Sequence, residues 1–362
     1  MPDDPGRIAA WVPSRDSSGQ AAMPAPSFAH LGRLTTDLGL WEHALGSSPR
    51  TEHGFCTDDN ARALLVVLRE ASGSTELIDL ASTYLGFVLD SRIDFGRFHN
   101  RRHADGVWID TVGSDDSQGR AWWALGRAAR SGPTPALRRA AADAFASSHL
   151  FESPHLRSNA YAALGAVEMI AAQPGHPVAA AMLERTVGVI ADAAGRRIPW
   201  PEDRLTYDNG RLPEALLAAG ATLGRGHLIA AGLRLLEWLV SVETNGEHLS
   251  FTPHSGWAPG EPRPGFDQQP IEAAALADAS FRAWRITRDP MWKFPALGAA
   301  HWLLGRNDLG LALYDAGTGA TSDGLMEYGV NQNRGAESTL AGIAILQVAA
   351  RLAQGGMGAP AR

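Results

Sequence analysis

One cysteine in 362 residues, Cys56, is too few for a disulfide framework or for a cysteine-built zinc site. Basic runs interleaved with aromatics are also missing. With 32 Lys and Arg against 39 Asp and Glu, the net charge is −7, so nucleic acid is not an expected partner. No window approaches the roughly 18 uninterrupted apolar residues that suggest a membrane span. The opening MPDDPGRIAAWVPSRDSSG lacks a basic region followed by an apolar stretch, so it does not read as a secretory signal. The expectation is a cytoplasmic, acidic protein with no membrane or nucleic-acid partner. Alternating strand patterns are scarce, and only EHLSFTPH (247–254) reads as a short strand inside a long loop. The histidines show no HExxH motif, and GTGATSDG (317–324) lacks the lysine of a phosphate loop. No metal and no cofactor is expected.

What the chain does have is helix. Residues 1–26 and 355–362 lack periodicity and read as a disordered arm and a flexible tail. Between them, over 27–354, apolar residues recur at three- and four-residue spacing. Six of these stretches share a design, in which a polar cluster leads into an Ala/Leu-rich run. They are TDDNARA (57–63), SDDSQGRAWWAL (114–125), SPHLRSNAYAAL (153–164), YDNGRLPEALLAA (207–219), FDQQPIEAAALA (266–277) and NQNRGAESTLAG (331–342). Six amphipathic segments alternate with them: 27–44, 75–89, 134–148, 176–193, 226–242 and 291–305. Buried Ala-rich helices alternating with one-faced ones predict an all-α fold, an (α/α)6 toroid with six inner and six outer helices. In that arrangement all inner helices run the same way. Their polar N-termini, with unpaired N–H groups and positive dipole ends, then converge on one basin.

The basin is predicted to hold carboxylates, amides and arginines, with indoles in nearby loops; the chain has 11 Trp. Amides and carboxylates that bind vicinal hydroxyls, beside rings that cover apolar sugar faces, point to an oligo- or polysaccharide substrate. Glycoside hydrolysis needs one carboxyl protonated and another ionised. Glu272 is the first choice for the acid, because it stands inside its helix where capping does not explain it. Asp58 and Asp59 are the candidates for the base, adjacent and overbuilt for a helix cap. Glu337 and Glu214 occupy corresponding later positions and are the alternatives for the acid, or partners of Arg334 and Arg211. The expected substrate ligands are Asn60, Arg62, Asp116, Trp122, Trp200, Asp208, Trp257, Asp267, Gln268, Gln269, Asn333 and Glu337.

Taken together, HLGRLTTDLGLWEHA, GFCTDDNARAL, FDQQPIEAAALADA, YDAGTG…SDGL and NQNRGAEST resemble a bacterial (α/α)6-barrel family. Its members often follow a glycosyltransferase domain or lie near mannoside-phosphorylase genes, and its stand-alone mycobacterial forms hydrolyse methylmannose polysaccharide. The resemblance covers about 27 to 350 and implies an endo-acting hydrolase of α-1,4-linked, partly O-methylated mannans. An inverting outcome is the expectation, because toroids of this type commonly invert. Two other readings stand beside it: a non-catalytic glycan-binding accessory module, and a sugar epimerase. The epimerase would want a pair of bases, often His, and the six clusters contain only His155.

Overall fold

A computed structural model describes residues 23–355, except 72 and 198. Most of the arm expected at 1–26 and of the tail at 355–362 therefore lies outside the described residues. Among the described residues twelve α-helices carry the structure: α1 (Ala29–Leu34), α2 (Thr57–Val67), α3 (Thr75–Asp90), α4 (Asp115–Ser131), α5 (Pro135–Phe145), α6 (Leu156–Ala172), α7 (Pro177–Arg196), α8 (Arg211–Leu223), α9 (Gly226–Val242), α10 (Pro270–Thr287), α11 (Lys293–Leu303) and α12 (Ala336–Ala353).

The even-numbered helices form a closed ring. Each packs on the next, from α2 through α4, α6, α8 and α10 to α12, which returns to α2. The odd-numbered helices form the outer layer, α3 on α2, α5 on α4, α7 on α6, α9 on α8, α11 on α10 and α1 on α12. Burial follows the same division. Inner helices are enclosed on all sides, with every residue buried from Ser117 to Gly126 in α4 and from Arg211 to Gly220 in α8. The outer α7 buries a single stripe, Ala179, Met182, Leu183, Thr186, Val187 and Ile190, at the spacing of one helix face. The fold is the (α/α)6 toroid.

Small residues let the ring close. A Cβ on Gly165 of α6 would lie 2.5 Å from the carbonyl oxygen of Trp122 in α4, closer than real side chains come. By length and composition α12 could cross a membrane, but 78% of that window is buried as a rod of the ring.

The first outer segment departs from expectation. Only Ala29–Leu34 of the amphipathic stretch 27–44 is helical; the chain then makes two small hairpins, Thr35–Thr36 with Gly39–Leu40 and Ala44–Leu45 with Ser48–Pro49. The β-branched pair Thr35–Thr36 favours extended backbone. Gly39, at a φ of 133° that other residues rarely adopt, lets the hairpin turn back against Thr35–Thr36. The strand expected in 247–254 is shorter than read: His248–Leu249 pairs with Thr244–Asn245 in a hairpin.

Candidate active site

The doubled carboxylate at the start of α2 is not there to cap it. Cys56 is the N-cap, and its sulfur accepts the N–H of Asp59 at 3.4 Å. The two carboxylates turn instead to Arg62, which donates to Asp59 at 2.5 Å and to Asp58 at 3.3 Å. The same Arg62 nitrogen that reaches Asp58 lies 2.9 Å from Glu337, in the first turn of α12. Three carboxylates from two adjacent inner helices thus share one guanidinium.

From Asp58 an ion chain runs around the interior of the ring. Arg120 of α4 brings its Nε to 3.0 Å from Asp58, though not aligned for a hydrogen bond, and donates to Asp208 at 3.2 Å and to the Tyr161 hydroxyl at 2.7 Å. Tyr161 in turn donates to Asp208 at 2.6 Å. Arg211 then links Asp208 (3.2 Å), Glu214 (2.6 Å) and Asp278 of α10 (2.9 Å). Asp278 also receives Arg69, just past the end of α2, at 2.8 Å. The chain begins and ends at α2.

These surroundings separate the carboxyl groups. Asp208 stays below the usual range although burial opposes it, because Arg211 and Arg120 flank it. Asp278 is held low in the same way by Arg69 and Arg211, again against burial. Glu272, in the first turn of α10, is different. It is 3% exposed, and no arginine lies within ion-pair distance of it among the described residues. Burial, with the Glu243 and Asp208 carboxylates adding, pushes its carboxyl up to about 8, against the N–H groups that donate to it. Those donors are the backbone of Asp208, the backbone of Asn209 at 3.1 Å and the Asn209 amide at 2.9 Å. A protonated carboxyl can still accept them while its hydroxyl donates elsewhere.

Glu337 is raised as well, by burial, with Arg62 opposing. It is crowded by protein yet open to water, its side chain being 37% accessible. Asp58 is 22% accessible beside it.

Several expected ligands have other duties. Asn60 is buried and serves the backbone, accepting Leu40 N–H and donating to the Cys56 carbonyl, so it does not face substrate. Gln268 is buried too; it accepts from Phe251 N–H and Trp302 and donates to Asp308, fixing the loop before α10. Trp122 points outward from α4 between Phe98 and Phe145, and Trp200 stacks on Trp238 of α9. Both indoles are core: Trp122 because an inner helix presents large side chains to the outer layer as well as to the axis, and Trp200 because the loop before α8 lays it on α9. Asp116 accepts from Ser158 at 2.5 Å and from the Tyr207 hydroxyl. Trp257, Asp267, Gln269 and Asn333 remain partly accessible on the loops preceding α10 and α12. Residue-by-residue reading missed Tyr161, Tyr207, Arg69 and Asp278. A lone acid inside the run AAALADAS was a signal, since a charge within an inner helix needs a buried partner.

Among the described residues one cluster places metal-type ligands together: ligand atoms of Glu42, Cys56 and Asp59 lie within 4.8 Å of one another. Their chemistry does not suit an ion. Glu42 is tied to Arg101, Asp59 to Arg62, and burial raises the Cys56 thiol well above its ordinary range, so no thiolate is on offer.

No family model and no curated protein matches the chain by sequence. Solved structures match in shape. A sugar epimerase from a ruminal bacterium superposes with a TM-score of 0.68 at 11% identity, over 89% of this chain and 95% of that one. A GH76 α-mannanase from Bacteroides thetaiotaomicron gives 0.61 at 10% identity, covering 90% and 94%. A GH76A α-1,6-mannanase from Salegentibacter gives 0.61 at 13%, covering 90% and 96%. The likeness is one of fold. The neighbours are carbohydrate-active enzymes built on the same toroid.

Proposed function

We propose that this chain is a glycoside hydrolase of α-linked mannosides, endo-acting on α-1,4-mannan oligosaccharides and their O-methylated forms. The observation that carries the reading is the contrast among the basin carboxyls. Asp58 is paired with two arginines, whereas Glu272 has none and keeps its proton to about pH 8. A carboxyl kept protonated by burial suits the acid, and one held between cations suits the base. Glu272 gives its proton to the glycosidic oxygen as the bond to the anomeric carbon breaks. Asp58 takes a proton from the water that attacks that carbon, and Asp59 keeps Arg62 in place. Asp58 is linked to Glu272 through Arg120 and Asp208, which ties the two proposed groups into one ion and hydrogen-bond relay.

A second assignment has an observation of its own. Glu337 is the more accessible acid, and it shares one Arg62 nitrogen with Asp58, so their oxygens are closer than an inverting pair requires. Parallel E272Q and E337Q variants separate the two assignments.

The deciding experiment is incubation with α-1,4- and α-1,6-mannooligosaccharides, plain and O-methylated, followed by product sizing. Shorter chains with new reducing ends support the reading. Isomerised sugar without cleavage would replace it with the epimerase reading, and tight binding without turnover with the accessory-module reading. Against the epimerase stands the histidine count: among the six clusters only His155 is available, and its side chain is largely exposed at the rim.

A further inference from the structure

We propose that Tyr207 is a sugar-stacking platform that forms a binding subsite beside the cleavage point. The inference deepens the glycan-hydrolase reading and rests on it for the class of ligand. Tyr207 lies on the loop before α8 and reaches across the start of α6 to α4, where its hydroxyl donates to Asp116. Asp116 is itself held by Ser158 of α6 at 2.5 Å. Behind the ring, the Arg157 guanidinium lies 4.8 Å from its centroid. That guanidinium is immobilised by Glu202 at 2.6 and 2.7 Å, by Asn209 at 2.8 Å and by the carbonyl of Tyr207 itself.

The ring is therefore fixed at its tip, along one face and at its backbone. Despite that clamping it remains 40% exposed, and no other aromatic ring packs on it among the described residues. An aromatic side chain held rigid with one open face loses no rotamer freedom when a flat apolar surface settles on it. The C–H face of a pyranose is such a surface, and Asp116 at the ring's edge can accept a hydroxyl of the same sugar. The next residue, Asp208, supplies one of the N–H groups that hold Glu272. A pyranose stacked on Tyr207 is thereby placed next to the proposed proton donor.

The test measures binding without turnover. Mannooligosaccharides are titrated calorimetrically into D58N, D58N/Y207F and D58N/Y207L, with circular dichroism confirming that each variant is folded. Loss of the ring in Y207L is expected to weaken Kd about 2- to 13-fold, the range for an aromatic contact beyond its buried area. Y207F, which keeps the ring, should stay within about twofold of D58N. Equal affinity for D58N and D58N/Y207L would overturn the platform, as would a Y207F loss equal to that of Y207L. Failure of D58N to bind any mannooligosaccharide would overturn it as well. Because hydrolysis plays no part in the readout, a wild-type protein that binds but does not cleave sinks the hydrolase reading and leaves the platform standing.

Discussion

Replacing Glu272 by Gln tests the site through two pH profiles at once. In the folded chain the Glu272 carboxyl is pushed up to about 8, against an ordinary value of 4.5. Activity should fall on the alkaline side with an apparent pKa near 8, about tenfold per unit above it, because the donor loses its proton. Stability moves in the same direction. The folded state binds this proton more tightly than the unfolded state, so the group's contribution is fully present below pH 4.5 and is lost as pH rises through 8. Each unit crossed in that window removes about 1.4 kcal/mol. Glu243, buried and pushed up to about 7, contributes with the same sign, so only the difference between wild type and variant isolates Glu272. Gln cannot accept from all three of its donors, and at pH 5 E272Q should be about 1–3 kcal/mol less stable. By pH 9 the gap should close or reverse, since the amide has no charge to bury. Urea denaturation at pH 5, 7 and 9, beside kcat profiles of wild type, E272Q and E337Q, reads both effects. A stability gap that does not change with pH, or an alkaline activity limb that survives in E272Q, would refute the assignment.

D58N should lower kcat by about 10²–10⁴, the usual share of one general base, with KM little changed; product release at a saturating concentration of mannooligosaccharide checks it. G165A should destabilise the chain by at least about 1–3 kcal/mol, because the new methyl meets the Trp122 carbonyl at 2.5 Å and backbone has to shift. Thermal unfolding of that variant measures whether α4 and α6 are as tightly apposed as the ring requires.

The toroid was legible because its signal is repeated. A polar cluster followed by an Ala-rich run recurs six times, and each run became an inner helix. The outer layer was legible where one face is apolar, as in α7, and illegible at 27–44, where a local pair of threonines and a glycine turn override the helical spacing. At the site, the doubled aspartates, Arg62 and Glu337 do come together at α2 and α12, while Glu272 faces the start of α8. Trp122 and Asn60 could not be sorted by type alone. An inner helix buries its whole circumference, so sequence does not say whether a residue points to the axis or to the outer layer. Tyr207 went unnoticed for a related reason: its role depends on Arg157, 50 residues away in the chain.

The ion chain from Asp58 to Arg69 raises the question of why the ring holds charges that apolar side chains could replace. Buried ion pairs seldom exceed well-packed hydrophobic residues in stability, because desolvation cancels much of their attraction. Their geometry, however, is directional. Asp278 ties α10 to α8 through Arg211 and to α2 through Arg69, and α10 carries Glu272 to its donors at the start of α8. If the chain's task is to fix how these helices stand against one another, removing it as a neutral unit should cost activity and not stability. D278L alone leaves Arg69 without its carboxylate and should lose about 3–5 kcal/mol. R69M/D278L removes both partners, and Arg211 keeps Asp208 and Glu214, so its unfolding free energy is expected to match or exceed that of wild type. Its kcat should nonetheless drop about tenfold or more, as misplacement of a reacting group does. A double variant that unfolds as readily as D278L would make the ions a source of stability, and one with full activity would show that α10 needs no ionic tie to aim Glu272.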